Sequence, residues 1–263
     1  MSIAISRPLS IAEVLDQGFR LFQKAFLRVL PLTLMWSVLS MAPLAVRIAS
    51  GDIKTNHYGL ASGLTQFVAY ILVFFFLIAV LRRLDDILRD RNQLTLGSAL
   101  SGGLRYGFPL FLASLAYMLV IMLGTVLLVV PGLYLMVSLS MFIFCVVLDG
   151  AGITESLQRS RELVRGHWWR VTTIGTVAIL IFVAVYMALV AIVGLLMPFL
   201  KGIVLVSGGQ NAIVMFTVAV SVLMLFTGAV LNPLIYSIGL VTYRELQLRK
   251  SGEDLAARIE QAA

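Results

Sequence analysis

Six apolar runs occupy most of the chain, at residues 26–48, 60–81, 108–130, 133–148, 171–196 and 212–241. A hydrocarbon core about 30 Å thick takes roughly 20 apolar residues per helical crossing, so runs of this length repeated end to end read as transmembrane helices. With 60% hydrophobic residues, 13% charged residues and a mean hydropathy of +1.00, the chain has the profile of an integral membrane protein and not of a soluble domain. The expected fold class is all-α, with six transmembrane helices arranged as three hairpins. The fourth run is short and borrows its ends from interfacial residues; the sixth is long enough to tilt, or to kink at Pro233.

An even number of crossings puts both termini on one side. With the N-terminus cytoplasmic, 17 of the 20 Lys and Arg residues fall on cytoplasmic segments, and only Arg47, Lys54 and Lys201 fall outside. That bias fixes the expected orientation, both termini cytoplasmic. The net charge of +7 then belongs to a rim facing anionic head groups, and no nucleic-acid partner is needed to explain it. No cleavable signal is expected, and the single Cys145 reads as a buried, inert thiol in the fourth crossing.

What precedes each pair of crossings repeats. In SIAEVLDQGFRLFQKAFLRV, Ile11, Val14, Leu15, Gly18, Phe19, Phe22 and Phe26 follow the spacing of one helix face, and Ser10 with Glu13 fits a capping box. An offset of 142 places Ile153 on Ile11, Glu155 on Glu13, Trp168 on Phe26 and Arg170 on Arg28; an offset of 85 places Leu96 on Ile11 and Arg105 on Arg20. The expectation is three units, each a cytoplasmic amphipathic surface helix, at about 10–25, 95–105 and 152–168, feeding a transmembrane hairpin. VVPGLY at 129–134 reads as a tight reversal between the third and fourth crossings. Residues 1–250 form a single six-helix domain, and 251–263 a short cytoplasmic tail, either a surface helix or disordered.

The hexapeptide RGHWWR, residues 165–170, opens the fifth crossing. Tryptophans prefer the head-group layer and arginines beside a crossing reach phosphates, so an interfacial anchor is the plain reading. The sharper reading, compatible with it, is a lipid head-group site built from Arg159, Arg161, Arg165, His167, Trp168, Trp169 and Arg170. Pairs Glu155–Arg159 and Glu162–Arg165 would consume part of its charge. LRRLDDILRDRN, 81–92, reads as a self-neutralising solvated extension through Arg82–Asp86 and Asp85–Arg89. Asp85 and Asp86 diverge by about 100° on a helix, which disfavours shared metal coordination. His57 and His167 fall on opposite membrane faces, so no metal site is expected, and no cofactor motif occurs. The crossings carry no ionisable residue near their middle; Asn232, beside Pro233, and Gln66 are the candidate intramembrane polar site, with helix packing the bland alternative.

At PGLYLMVSLSMFIFCVVLDGAGITESLQRSRELVRGHWWR, 131–170, and at the basic end YRELQLRK, the sequence resembles a bacterial family of six-helix inner-membrane proteins. That family is similar to the membrane domain attached to some glycerophosphoryl diester phosphodiesterases and includes the YciC-like proteins. The resemblance implies a bacterial inner-membrane location; it does not imply catalysis here, because in that family the phosphodiesterase activity resides in a separate soluble domain. Three functions follow as expectations: a non-enzymatic protein that binds, organises or moves anionic lipid at the cytoplasmic face; a small-solute transporter or channel; or a scaffold for another membrane protein. A homo-oligomer is compatible with each. An enzyme ranks last, for want of a convergent acid, base, nucleophile or metal set.

Overall fold

The computed structural model describes residues 8–50, 59–91, 93–206 and 210–262. Arg7 and the loop holding Lys54 and His57 lie outside them. Nine helices occur among the described residues: α1 Ile11–Leu39, α2 Ala42–Ser50, α3 Leu60–Leu88, α4 Leu96–Leu127, α5 Val129–Ser138, α6 Phe142–Asp149, α7 Ile153–Val164, α8 Trp168–Val206 and α9 Gln210–Ala262. Six stretches are long and apolar enough to cross a membrane: Ile11–Ser50, Leu60–Leu88, Leu96–Leu127, Val129–Asp149, Trp168–Ile192 and Val220–Gly252. Little of these apolar windows is buried in the protein, from 11% in Trp168–Ile192 to 44% in Val129–Asp149. Their remaining surface needs an apolar solvent, which defines a multi-pass membrane protein.

Helix starts follow the repeat. α1, α4 and α7 begin at Ile11, Leu96 and Ile153, which are the positions equated by the offsets of 85 and 142. The residue before each closes the first turn. Ser10 and Glu13 bond reciprocally, Glu13 N to Ser10 Oγ at 3.2 Å and Ser10 N to Glu13 Oε2 at 2.7 Å. Thr95 Oγ1 accepts from Ser98 N at 3.3 Å, and Gly152 N donates to Glu155 Oε2 at 3.1 Å. Each bond satisfies a donor that a helix start leaves orphaned.

The expected surface helices separate from their crossings in one unit only. α1 and α4 run on without a break, over 29 and 32 residues, whereas Gly166 at φ +87° ends α7 and α8 restarts at Trp168. Only glycine enters that left-handed region at no steric cost, and Lys24 holds the equivalent place in α1.

Packing groups the residues into two units, one of 1–29, 74–178 and 233–263, the other of 30–73 and 179–232. In the first, α1 packs through Val14, Gly18, Leu21 and Ala25 rather than through its aromatic stripe. A Cβ on Gly18 would lie 2.9 Å from Ile238 Cα, so the absent side chain draws the seam onto this edge. Phe19, 47% exposed, meets Phe22, which in turn meets Phe26 edge-on.

The reversal before the fourth crossing lies at Leu128, the single extended residue between α4 and α5, and not at Pro131-Gly132. Pro131 sits in the first turn of α5, where its missing N–H leaves nothing unsatisfied. The fourth crossing, expected as one short helix, is two helices interrupted at 139–141. Ser160 of α7 fills that interruption: its Oγ donates to Ser138 O at 3.1 Å and accepts from Met141 N at 3.0 Å. A buried break between helices leaves backbone groups that need such a partner. In the second unit Ser37 Oγ donates to Thr33 O at 2.8 Å and Leu225 O at 3.2 Å.

Candidate functional site

The residues of RGHWWR divide between the interior and the surface. Trp168 is half-buried; its Nε1 donates to Tyr134 O at 3.2 Å and its ring stacks on Tyr134 with centroids 5.8 Å apart. Trp169 meets it edge-on and is 78% exposed. Trp168→Ala is therefore expected to cost about 1–3 kcal/mol, whereas Trp169→Ala leaves stability close to wild type; thermal unfolding in one detergent checks both. Equal melting points for the two variants would remove the distinction.

Arg170 turns inward. Its Nη2 donates to Glu245 Oε1 at 3.1 Å and to Leu9 O at 2.5 Å, and only 17% of its side chain is exposed. Glu245 is wholly buried and also holds Arg249, whose Nη2 donates to Leu9 O at 2.9 Å. Two arginines thus converge on one carboxylate and one backbone carbonyl. Arg159 pairs with Glu155 at 2.5 Å, as the spacing implies. Glu162 instead accepts from Gln158 at 3.0 Å, so Arg165 stays exposed beside Arg161, neither forming an ion pair among the described residues. His167 is half-buried at the break.

The segment LRRLDDILRDRN is packed rather than solvated. Leu81, Leu84, Ile87 and Leu88 are buried, and Asp85 shares their face. Asp85 bonds Arg89 at 3.0 Å, as expected, and also Arg244, at 3.0 Å to Nε and 2.8 Å to Nη2. The expected Arg82–Asp86 pair is not formed: Arg82 lies over the Tyr106 ring, 5.7 Å from its centroid, and Asp86 accepts from Leu94 N at 3.1 Å. Asp90, at φ +57°, bonds Lys24 of α1 at 2.9 Å, and that hydrogen bond holds its carboxyl below the ordinary value.

Arg244 continues the network toward α6. Its Nη1 donates to Gln247 Oε1 at 2.7 Å, and Gln247 Nε2 donates to the Tyr243 hydroxyl at 3.0 Å and to Asp149 Oδ2 at 3.2 Å. Tyr243 donates to the same Asp149 oxygen at 2.5 Å and stacks on Phe144. Beside this network lies a cleft of about 600 Å³ lined by Leu88, Arg89, Arg91, Arg244, Gln247, Leu248 and Ser251.

Asn232 and Gln66 are half-buried, and neither side chain makes a hydrogen bond among the described residues. Cys145 is a buried free thiol, and no three His, Cys, Asp or Glu side chains among the described residues are placed to hold a metal. Sequence reading missed Glu245, Asp85 as a partner of Arg244, and Asp149. Only Glu245 has a signal, its register: Ile238, Val241 and Thr242 are buried, and Glu245 repeats their spacing.

These features define a class: an all-helical multi-pass membrane protein with one ionic cluster around the buried Glu245 and a second, part-buried one around Asp85 and Arg244. Residues 93–246 match the family described as "Domain of unknown function (DUF7847)". That is more than half of the chain, and the protein belongs to this family. The match begins just before the Thr95 cap and includes Arg170, Tyr243, Arg244 and Glu245. The chain matches no curated protein and no solved structure.

Proposed function

We propose that this is a non-enzymatic multi-pass protein of a bacterial inner membrane, with both termini cytoplasmic, that binds and organises anionic lipid at the cytoplasmic face. The observation that carries the reading is the exposed side of α7 and its continuation. Arg161 and Arg165 stand exposed without ion pairs among the described residues, next to Trp169 at 78% exposure, while Ile153, Leu157 and Leu163 stay half-exposed. Cations interleaved with an exposed indole and aliphatic side chains suit the boundary between phosphates and acyl chains. The bias of 17 in 20 basic residues supports the orientation, and the resemblance to phosphodiesterase membrane domains and YciC-like proteins supports the compartment. In this reading α7 lies along the surface and each of α1, α4 and α7 leads into a hairpin.

The test is lipid mass spectrometry on protein extracted gently with native lipid, beside Arg161→Ala/Arg165→Ala. These two residues are chosen because Arg159 and Arg170 are tied to Glu155 and Glu245. Enrichment of an anionic lipid in the wild type and its loss in the variant is the expected result. Identical bulk lipid around both proteins would sink the reading and direct attention to solute transport or a protein partner.

A further inference from the structure

We infer that the cleft between the end of α3 and α9 binds a phosphate group carried on an apolar body. Arg89, Arg91 and Arg244 all line it, and one carboxylate, Asp85, answers them, through its two oxygens to Arg89 and Arg244. Among the described residues the lining holds three arginines and no carboxylate, and Asp85 is the one acid that pairs with any of them, so the lining is positively charged. Arg91 is exposed and has no ion pair among the described residues, so its guanidinium is available to a ligand. Arg244 is the opposite case: Asp85 fixes Nε and Nη2, Gln247 fixes Nη1, and 15% of the side chain remains exposed. Its charge is therefore presented in a set position, and a preorganised guanidinium costs a ligand little ordering.

The rest of the lining narrows the ligand. Leu88 and Leu248 form an apolar wall, which adds nothing for a bare ion but covers the organic part of a phosphate ester. A cleft of about 600 Å³ exceeds what a lone oxyanion fills and falls within the usual range for small-molecule sites, about 300–1,000 Å³. Arginine pairs match the geometry of phosphate oxygens, while the Gln247 amide N–H groups and the Ser251 hydroxyl are already given to Asp149, Tyr243 and Leu248 O, so the guanidiniums are the groups that would hold the phosphate. The shared chemistry is a phosphate ester, either a phospholipid head group or a soluble ester. For the lipid source the inference rests on the proposed lipid-binding role, but it uses different residues.

The deciding experiment takes the protein in phosphatidylcholine nanodiscs and titrates phosphatidic acid into the bilayer, or glycerol 3-phosphate into the aqueous phase. Wild type, Arg91→Gln and Arg161→Gln/Arg165→Gln are compared, since all three substituted residues are exposed and form no ion pair among the described residues. Loss of one charge-assisted contact predicts binding about tenfold weaker in Arg91→Gln. If Arg91→Gln alone weakens phosphatidic acid binding, the cleft holds a lipid phosphate. If it weakens glycerol 3-phosphate while phosphatidic acid shows no binding, the cleft stands as a soluble-ester site and the lipid role fails. Phosphatidic acid binding that is lost only in Arg161→Gln/Arg165→Gln overturns the cleft and leaves the lipid role intact. Absence of binding by both probes to the wild type overturns both.

Discussion

Glu245→Ala is expected to destabilise the protein by about 3–5 kcal/mol, the usual consequence of deleting one partner from a buried ionic group. Glu245 has no exposed surface, and its carboxylate is the only anion bonded to Arg170 and Arg249 among the described residues. With the carboxylate gone, two guanidiniums still face Leu9 O, where they repel one another in a medium that screens poorly. Glu245→Gln keeps the shape and one acceptor, so its loss should be smaller. Replacing all three side chains by Leu or Met removes the stranded charges as well and is expected to recover much of the stability. Chemical or thermal unfolding in a fixed detergent measures all of these; a Glu245→Ala protein that melts with the wild type would show that the cluster contributes nothing.

Gly132→Val is the second large effect. A Cβ at Gly132 would fall 2.2 Å from Thr125 Oγ1 and 2.9 Å from both Cα and N of Thr125, so the obstacle includes backbone and cannot rotate away. The opposing helix mirrors the arrangement, since a Cβ on Gly124 would lie 3.3 Å from Gly132 Cα. Two glycines let α4 and α5 approach at backbone contact, the small-residue packing that membrane helices use in place of a hydrophobic drive. Overpacking of this kind costs about 1–3 kcal/mol for small additions, and valine, with two further methyls, belongs at the upper end or beyond. Gly175→Ala is the control: nothing lies within 4 Å of its Cβ position, and no loss is expected. A Gly132→Val protein that unfolds with Gly175→Ala would refute the close approach.

The six crossings were legible because hydrophobic length is a property of contiguous sequence, and the helix starts at 11, 96 and 153 were legible because capping is local. The reversal at Leu128 was misplaced by three to four residues, since Pro-Gly signals a turn equally well from inside the first turn of the following helix. The ionic clusters were not legible. Charges were weighed against neighbours three and four residues away, and that works for Arg159 with Glu155. The partners that matter to Arg170 and Arg244 lie 75 and 159 residues away. For the same reason LRRLDDILRDRN reads as solvent-facing until its partner helix is present. Of the proposed head-group residues, exposure separates Arg161, Arg165 and Trp169 from Trp168 and Arg170; helix spacing turns adjacent tryptophans to different faces, but which face is covered depends on partners such as Tyr134 and Glu245 that lie far away in the sequence.

The acceptor at position 9 is a main-chain oxygen, and every amino acid supplies the same one. Arg170 and Arg249 therefore depend on a group that no point substitution can delete. Selection at that residue acts on the leucine side chain, which is 4% exposed, and leaves the oxygen untouched. What the junction requires is that the chain pass this point in this conformation, so it is robust to replacement of letters and vulnerable to their removal or insertion between Leu9 and the start of α1.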